Sequence, residues 1–260
     1  MTDSAHAETA SLAPFPDDWQ RALGVVAHPD DLEYGTAAAV SKWTDAGKQV
    51  AYVLATRGEA GIDGLEPGEC ARVREEEQRA GSAVVGVNTL EFLDHGDGVI
   101  EEGLPLRHDL AAAIRRHRPE LIVTLNHHDT WGAGPGAPRN TPDHRAVGRA
   151  VLDAVGDAGN RWIFPDLLEQ GLLPWGGVRW TAVAGSPYPT HAEDVTAAAR
   201  DRAVASLAEH RAYIEGLGEE DPREYSRKLI GQMLAEAGRL RGTDLAVGFE
   251  LVPHSFDDAP

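Results

Sequence analysis

Short apolar runs alternate with helical stretches along most of this chain, and no other feature so limits the folds open to it. Residues 21–27 (RALGVVA) form an apolar run that stops before Pro29, which suits a buried strand. Residues 33–46 read as a small-residue helix closed by Gly47. A strand over 49–55 (QVAYVLA) follows, then a charged helix over 69–86 with Val73, Ala80 and Val84 near one face. Next come a strand over 89–93, a helix over 104–117 with Leu106, Leu110, Ala113 and Ile114 at helical spacing, and a strand over 120–125 (ELIVTL). This order predicts parallel strands joined by right-handed crossovers. From residue 142 the spacing predicts another helix, with Val147, Val151 and Val155 four apart, followed by Pro-rich loops enclosing a strand over 178–184. A long helix over 194–214 carries Ala199, Ala203, Leu207 and Ile214 on one face; a helix over 223–240 and a strand over 245–252 complete the reading. The expected fold class is α/β with a mostly parallel central sheet.

Residues 1–20 are polar, Ala-rich and punctuated by Pro14 and Pro16, so a mobile tail is expected there, with 21–260 as a single domain. The balance of 24 Lys and Arg against 42 Asp and Glu gives a net charge of −18, which disfavours nucleic acid or an anionic membrane as a partner held by bulk attraction. A lone cysteine, Cys70, excludes an intrachain disulfide and a four-cysteine zinc site. No apolar run approaches the length of a transmembrane helix, and the first twenty residues lack the basic and hydrophobic regions of a secretory signal. The cytoplasm is the expected compartment. A homo-oligomer is compatible with the sequence.

The chemistry is most concentrated in Val26-Ala27-His28-Pro29-Asp30-Asp31, just past the carboxyl end of the first strand. Open parallel sheets bind ligands outside those carboxyl ends. The competing reading is that Asp30 and Asp31 merely cap the next helix; a histidine preceding them at a strand end favours a site. A partner segment is Thr141-Pro142-Asp143-His144. Pro142 fits the first turn of a helix, and His144 shares the face of Val147 and Val151. That face aims His144 at the carboxyl end of the sheet, toward His28 and Asp31. Two histidines and a carboxylate make a three-ligand metal site with an open position for water. Alone, His144 reads as an ordinary capping or surface histidine.

AHPDDLEYG, followed by TRGEAG at 56–61 and PDHRAVG at 142–148, resembles the LmbE-like or PIG-L family of metal-dependent de-N-acetylases. The resemblance extends through RVREEEQRAGSAVVGV at 72–87, FLDHGDG at 92–98 and IRRHRPELIVT at 114–124, and so covers about residues 21–155 in order. It implies a Rossmann-like three-layer sandwich and the removal of an acetyl group from N-acetylglucosamine-type or related small N-acylated substrates. It further implies His28, Asp31 and His144 as zinc ligands, and Asp30 as the general base that deprotonates the metal's water. Asp143 matches the acidic residue beside the last ligand and is expected to orient an imidazole. Many members carry a histidine where this chain has Thr141, and there it stabilises the oxyanion or protonates the leaving amine. His127, His128, His191 and His210 are the candidates to replace it here. Two histidines and a carboxylate also suit Fe(II).

Arg57, Glu59 and Asp97 follow predicted strands and are candidates to face substrate, as are His127, His128 and His191; a structural salt bridge is an equal reading for the first three. Residues 131–139 (WGAGPGAPR) read as a rim or lid, and 160–193 as the place where substrate is chosen. Cys70 reads as a bystander thiol. The expected function is therefore a metal-dependent hydrolase of a small N-acylated compound. A nucleotide-binding oxidoreductase would need a Gly-rich turn where HPDDLEYG stands, with carboxylates that repel a pyrophosphate. A binding module that keeps the fold without turnover is the other alternative.

Overall fold

The computed structural model describes residues 11–255. Its centre is one eight-stranded sheet, ordered β1-β7-β8-β6-β5-β2-β3-β4. These strands are β1 (Ala13–Pro14), β2 (Arg21–Val26), β3 (Gln49–Leu54), β4 (Thr89–Phe92), β5 (Leu121–Leu125), β6 (Trp180–Ala184), β7 (His191–Asp194) and β8 (Ala246–Pro253). Pairing is parallel from β6 through β5, β2 and β3 to β4, and again between β1 and β7; β8 runs antiparallel to both β6 and β7. The helices are α1 (Asp31–Gly35), α2 (Ala37–Asp45), α3 (Pro67–Val84), α4 (Leu104–His117), α5 (Pro142–Gly159), α6 (Asp166–Glu169), α7 (Ala197–Leu207), α8 (Arg211–Gly216) and α9 (Pro222–Arg241).

The central strands are apolar throughout because both faces are covered. Along β2, Ala22 and Val26 join one hydrophobic cluster while Leu23 and Val25 join another, as a period of two requires. The first cluster packs under α2, α7 and α9; the second under α4 and α5. Three layers result, as the alternation predicts.

Three expectations need correction. Residues 11–20 are packed rather than mobile: Leu12, Phe15 and Trp19 are buried, and Ala13 pairs with His191; residues 1–10 lie outside the described residues. The helix expected over 33–46 is two, because the backbone breaks at Thr36, whose hydroxyl donates to the Leu32 carbonyl. The long helix over 194–214 is also two. Its apolar periodicity continues across a break at 208–210, where His210 turns fully inside.

Topology places the site. The chain runs β2, β3, β4 outward on one side and returns to lay β5 on the other side of β2. The order of strands thus reverses at β2, and a crevice opens outside the carboxyl ends of β2 and β5.

Candidate metal centre and active site

His28 and Asp30 stand on the turn leaving β2, Asp31 opens α1, and His144 lies in the first turn of α5. Pro142 starts α5, and Thr141 caps it by accepting the His144 amide at 3.3 Å. Thr141 therefore serves the helix end. His28, Asp31 and His144 converge: His28 Nδ1 is 3.3 Å from His144 Nε2, and His144 Nε2 is 3.1 Å from Asp31 Oδ1. Asp31 Oδ2 lies 3.7 Å from His28 Nδ1 and accepts the His28 amide at 2.9 Å. The structure thus brings together the three side chains expected to hold a metal, with one ligand atom of each within 4.8 Å of the others.

Neighbouring groups orient both rings. Asn140 donates its Nδ2 to the carbonyls of Asn126 and His128, so its Oδ1, 3.0 Å from His144 Nδ1, is an acceptor. That puts the His144 proton on Nδ1 and leaves the Nε2 lone pair facing Asp31. On His28, Nε2 faces two carboxylates, Asp97 at 3.1 Å and Asp143 at 3.2 Å. A proton belongs there, so Nδ1 is the nitrogen left to face His144 and a ligand. Two imidazole nitrogens and a carboxylate converging on one spot call for a positive charge there, either a proton on His28 or a metal ion. Ligand atoms about 2.0–2.1 Å from a tetrahedral zinc stand about 3.3 Å apart, which matches these spacings, and the donor set is one zinc favours. The residues fit the metal.

Electrostatics distinguish the adjacent aspartates. Burial would raise the Asp31 carboxyl, yet His144 and His28 hold it well below the usual carboxylate range. Asp30 is equally buried; burial pushes it up to about 7, against the pull of Arg74 and with the repulsion of Asp31. Burial opposes protonation of His28, but its contacts with Asp143, Asp31 and Asp97 outweigh that and raise it. Asp143 Oδ2 and Oδ1 accept the amides of Gly98 and Ile100, so the carboxylate is fixed against His28 rather than His144.

Asp30 is held from three sides. It has a left-handed backbone, φ 83°, which non-glycine residues rarely adopt and which surrounding contacts must enforce. Gln78 accepts its amide at 2.8 Å; Arg74 donates to its Oδ2 at 2.8 Å and to the Pro29 carbonyl at 2.7 Å. It makes no side-chain cap on α1, so the capping reading does not hold for it. Arg74 and Gln78 escape the sequence reading because α3 buries a polar stripe: Cys70, Arg74, Gln78 and Ser82 face inward, while Val73 and Val84 are half-buried and Ala80 is exposed. Their four-residue spacing was the available signal.

A cavity of about 540 Å³ covers this centre, walled by Asp30, Arg74, Asp97, Trp131, Tyr213 and Met233 among others. Asp97 lines it, with Oδ1 beside His28 Nε2 and Oδ2 accepting the Ala60 amide. Arg57 and Glu59 do not line it: Arg57 is bound to Glu75, Asp94 and the Leu93 carbonyl, and Glu59 accepts the amides of Arg57 and Asp97. Nor do His127, His128, His191 and His210. His127 stacks on His128, which binds Glu250; His191 sits on β7; His210 is fully buried behind α1. The rim expectation for 131–139 holds at Trp131, whose ring meets His144 edge-on at 5.6 Å. From 160–193, Gly185 reaches the cavity. Cys70 is buried and donates to the Gly58 carbonyl.

Residues 23–155 match the family described as PIG-L, GlcNAc-PI de-N-acetylase. The chain is 29% identical over 245 residues to a diacetylchitobiose deacetylase of Thermococcus kodakarensis, covering 94% of this chain and 86% of the relative. It is 32% identical over 202 residues to a 1D-myo-inositol 2-acetamido-2-deoxy-alpha-D-glucopyranoside deacetylase of Kineococcus radiotolerans, covering 65% and 53%. Among solved structures, an N,N'-diacetylchitobiose deacetylase from Pyrococcus horikoshii superposes with a TM-score of 0.77 at 23% identity, over 91% of this chain and 85% of that one.

Proposed function

Because this chain belongs to the PIG-L, or GlcNAc-PI de-N-acetylase, family, we propose that it is a zinc-dependent hydrolase that removes an N-acyl group from a small amino-sugar-type substrate. The observation that carries the proposal is the convergence of two imidazole nitrogens and the Asp31 carboxylate beside the buried Asp30. His28, Asp31 and His144 would hold the zinc. Zinc so held would polarise the amide carbonyl and lower the pKa of its water. Asp143 and Asp97 keep the His28 proton on Nε2, and Asn140 keeps that of His144 on Nδ1, so both rings present lone pairs. Asp30, with a carboxyl pushed up to about 7, takes a proton from water near neutrality. Arg74 fixes the carboxylate for that transfer.

No third histidine lines the cavity among the described residues. Asp30 therefore also returns the proton to the departing amine, since a carboxyl titrating near 7 gives a proton as readily as it takes one. Use of Asp97 by substrate hydroxyls, the action of residues 21–260 as one domain and a cytoplasmic setting belong to the same proposal. Among the described residues no helix is long and apolar enough to cross a membrane.

The test is amine release from a panel of N-acetylated amino sugars by protein of known metal content. Zinc-loaded protein should turn over at least one member, and a chelator should abolish the activity until zinc is restored. Turnover indifferent to the chelator would exclude the mechanism; stoichiometric zinc with no turnover on any member would favour a binding protein on the same fold.

A further inference from the structure

The centre lies between two unlike ends. At one, Asp97 stands 3.1 Å from His28 Nε2; on the opposite side of that ring, Nδ1 faces His144. Beyond His144 comes the Trp131 ring, which closes so tightly on Gly185 that a Cβ there would lie 3.1 Å from it. The spatial order is thus carboxylate, His28, His144, Trp131. The Trp131 end opens further: Trp131, Tyr34, Gly35, Gly185 and Met233 also wall a second cavity, of about 350 Å³. Its remaining walls are mostly apolar, with Ile230, Leu234, Leu240 and Val247 among them; of its two acids, Glu33 has its side chain enclosed beside His210 and Glu236 is exposed to solvent. Two of its hydroxyls are already engaged, Thr36 to the Leu32 carbonyl and Ser186 to Glu250. No arginine, lysine or histidine side chain lines it among the described residues.

An amide whose carbonyl sits between His28 and His144 has its two substituents on opposite sides. Sugar hydroxyls need acceptors and belong at the Asp97 end. The acyl group then points past Trp131 toward the apolar cavity, where buried hydroxyls would go unpaired but methylenes gain. Resting on the hydrolase reading above, we propose that the preferred substrate is an amino sugar carrying an N-acyl chain longer than acetyl, with the chain seated in this second cavity. Small side chains keep its floor open at Ala37, Ala38 and Ala237.

The experiment compares N-acetyl-, N-butyryl-, N-hexanoyl- and N-octanoylglucosamine with the zinc-loaded enzyme, by amine release. Binding of the same compounds to zinc-loaded Asp30→Asn is followed by calorimetry. Each methylene fully buried is worth about fourfold, so kcat/KM should rise at least about tenfold from acetyl to hexanoyl. Ala237→Phe, on the half-buried face of α9, should fill the cavity and collapse the hexanoyl-to-acetyl ratio toward one. Met233→Trp, at the half-exposed mouth, should do the same without disturbing the core. A flat or falling series with N-acetyl turned over would overturn the acyl-chain assignment and leave the hydrolase reading standing. If nothing is hydrolysed, calorimetry decides. Affinity that still rises with chain length would support the cavity and sink the hydrolase reading, whereas flat affinity would end both.

Discussion

Asp30 and Asp31 share a side chain, adjacent positions and full burial, yet their surroundings assign them opposite charge behaviour. Asp31 faces two imidazoles and stays ionised; Asp30 faces one guanidinium and its own neighbour's negative charge. Asp30→Asn keeps the size of the side chain and removes its basicity, so zinc content should hold while turnover falls about 10²–10⁴-fold. Asp31→Asn should lose zinc first, since an amide is the poorer ligand. Elemental analysis and amine release, measured on both variants with excess zinc in the assay, separate the roles; an Asp30→Asn enzyme that runs at the wild-type rate would defeat the assignment. The convergence of His28, Asp31 and His144 was legible because each sits at a strand end or helix start whose direction the sequence reveals. Asn140, Arg74 and Gln78 were not, because their contribution lies in contacts across the fold: Gln78 meets Asp30 from 48 residues away. The histidines considered as replacement acids carried no positional signal, and the fold scatters them.

At the scale of elements, α3 shows why apolar periodicity misled. Its inward face serves the active site rather than the core, so the buried stripe is polar and the valines lie to the side. Helical glycines make a second point that sequence alone does not reveal. Gly81 on α3 and Gly231 on α9 look equivalent, and alanine should stabilise either helix by about 0.5–1 kcal/mol on propensity. A Cβ on Gly81 would lie 2.9 Å from the Ser206 carbonyl and 3.1 Å from His210 Nε2, so α3 and α7 would have to separate. A Cβ on Gly231 would meet nothing within 4 Å. Gly81→Ala should therefore lose about 1–3 kcal/mol, and Gly231→Ala should gain about 0.5–1 kcal/mol. Urea unfolding of the two variants beside the wild type reads both signs, and stabilisation of both would show that the α3–α7 approach yields freely.

For the whole molecule, the parallel half was legible because each βα repeat announces itself locally. The antiparallel placement of β8 between β6 and β7 was not, since strand order depends on long-range pairing that periodicity does not encode. Global stability also answers to a buried pair that the sequence does not flag, Glu33 on α1 and His210 at the start of α8, 3.7 Å apart and fully enclosed. Burial pushes the Glu33 carboxyl up to about 8 from 4.5, and burial with Arg74 pushes His210 down to about 3 from 6.5, so both are neutral near pH 7. Glu33 binds more protons folded than unfolded: its stabilisation is complete below 4.5 and is lost as pH rises toward about 8. His210 binds fewer: its stabilisation is complete above 6.5 and is lost as pH falls toward about 3. Between 4.5 and 6.5 the two slopes oppose each other, and the wild type hides both. Glu33→Gln should leave the His210 slope exposed, so its stability relative to wild type should rise with pH across that window. His210→Gln should do the reverse, each by up to about 1 kcal/mol per pH unit. Unfolding in urea with zinc saturating, compared at matched pH, cancels the metal's own pH dependence to first order. In Glu33→Gln, a difference that stays flat across that window would mean that His210 takes up a proton in the folded protein as readily as in the unfolded chain, and would overturn this account.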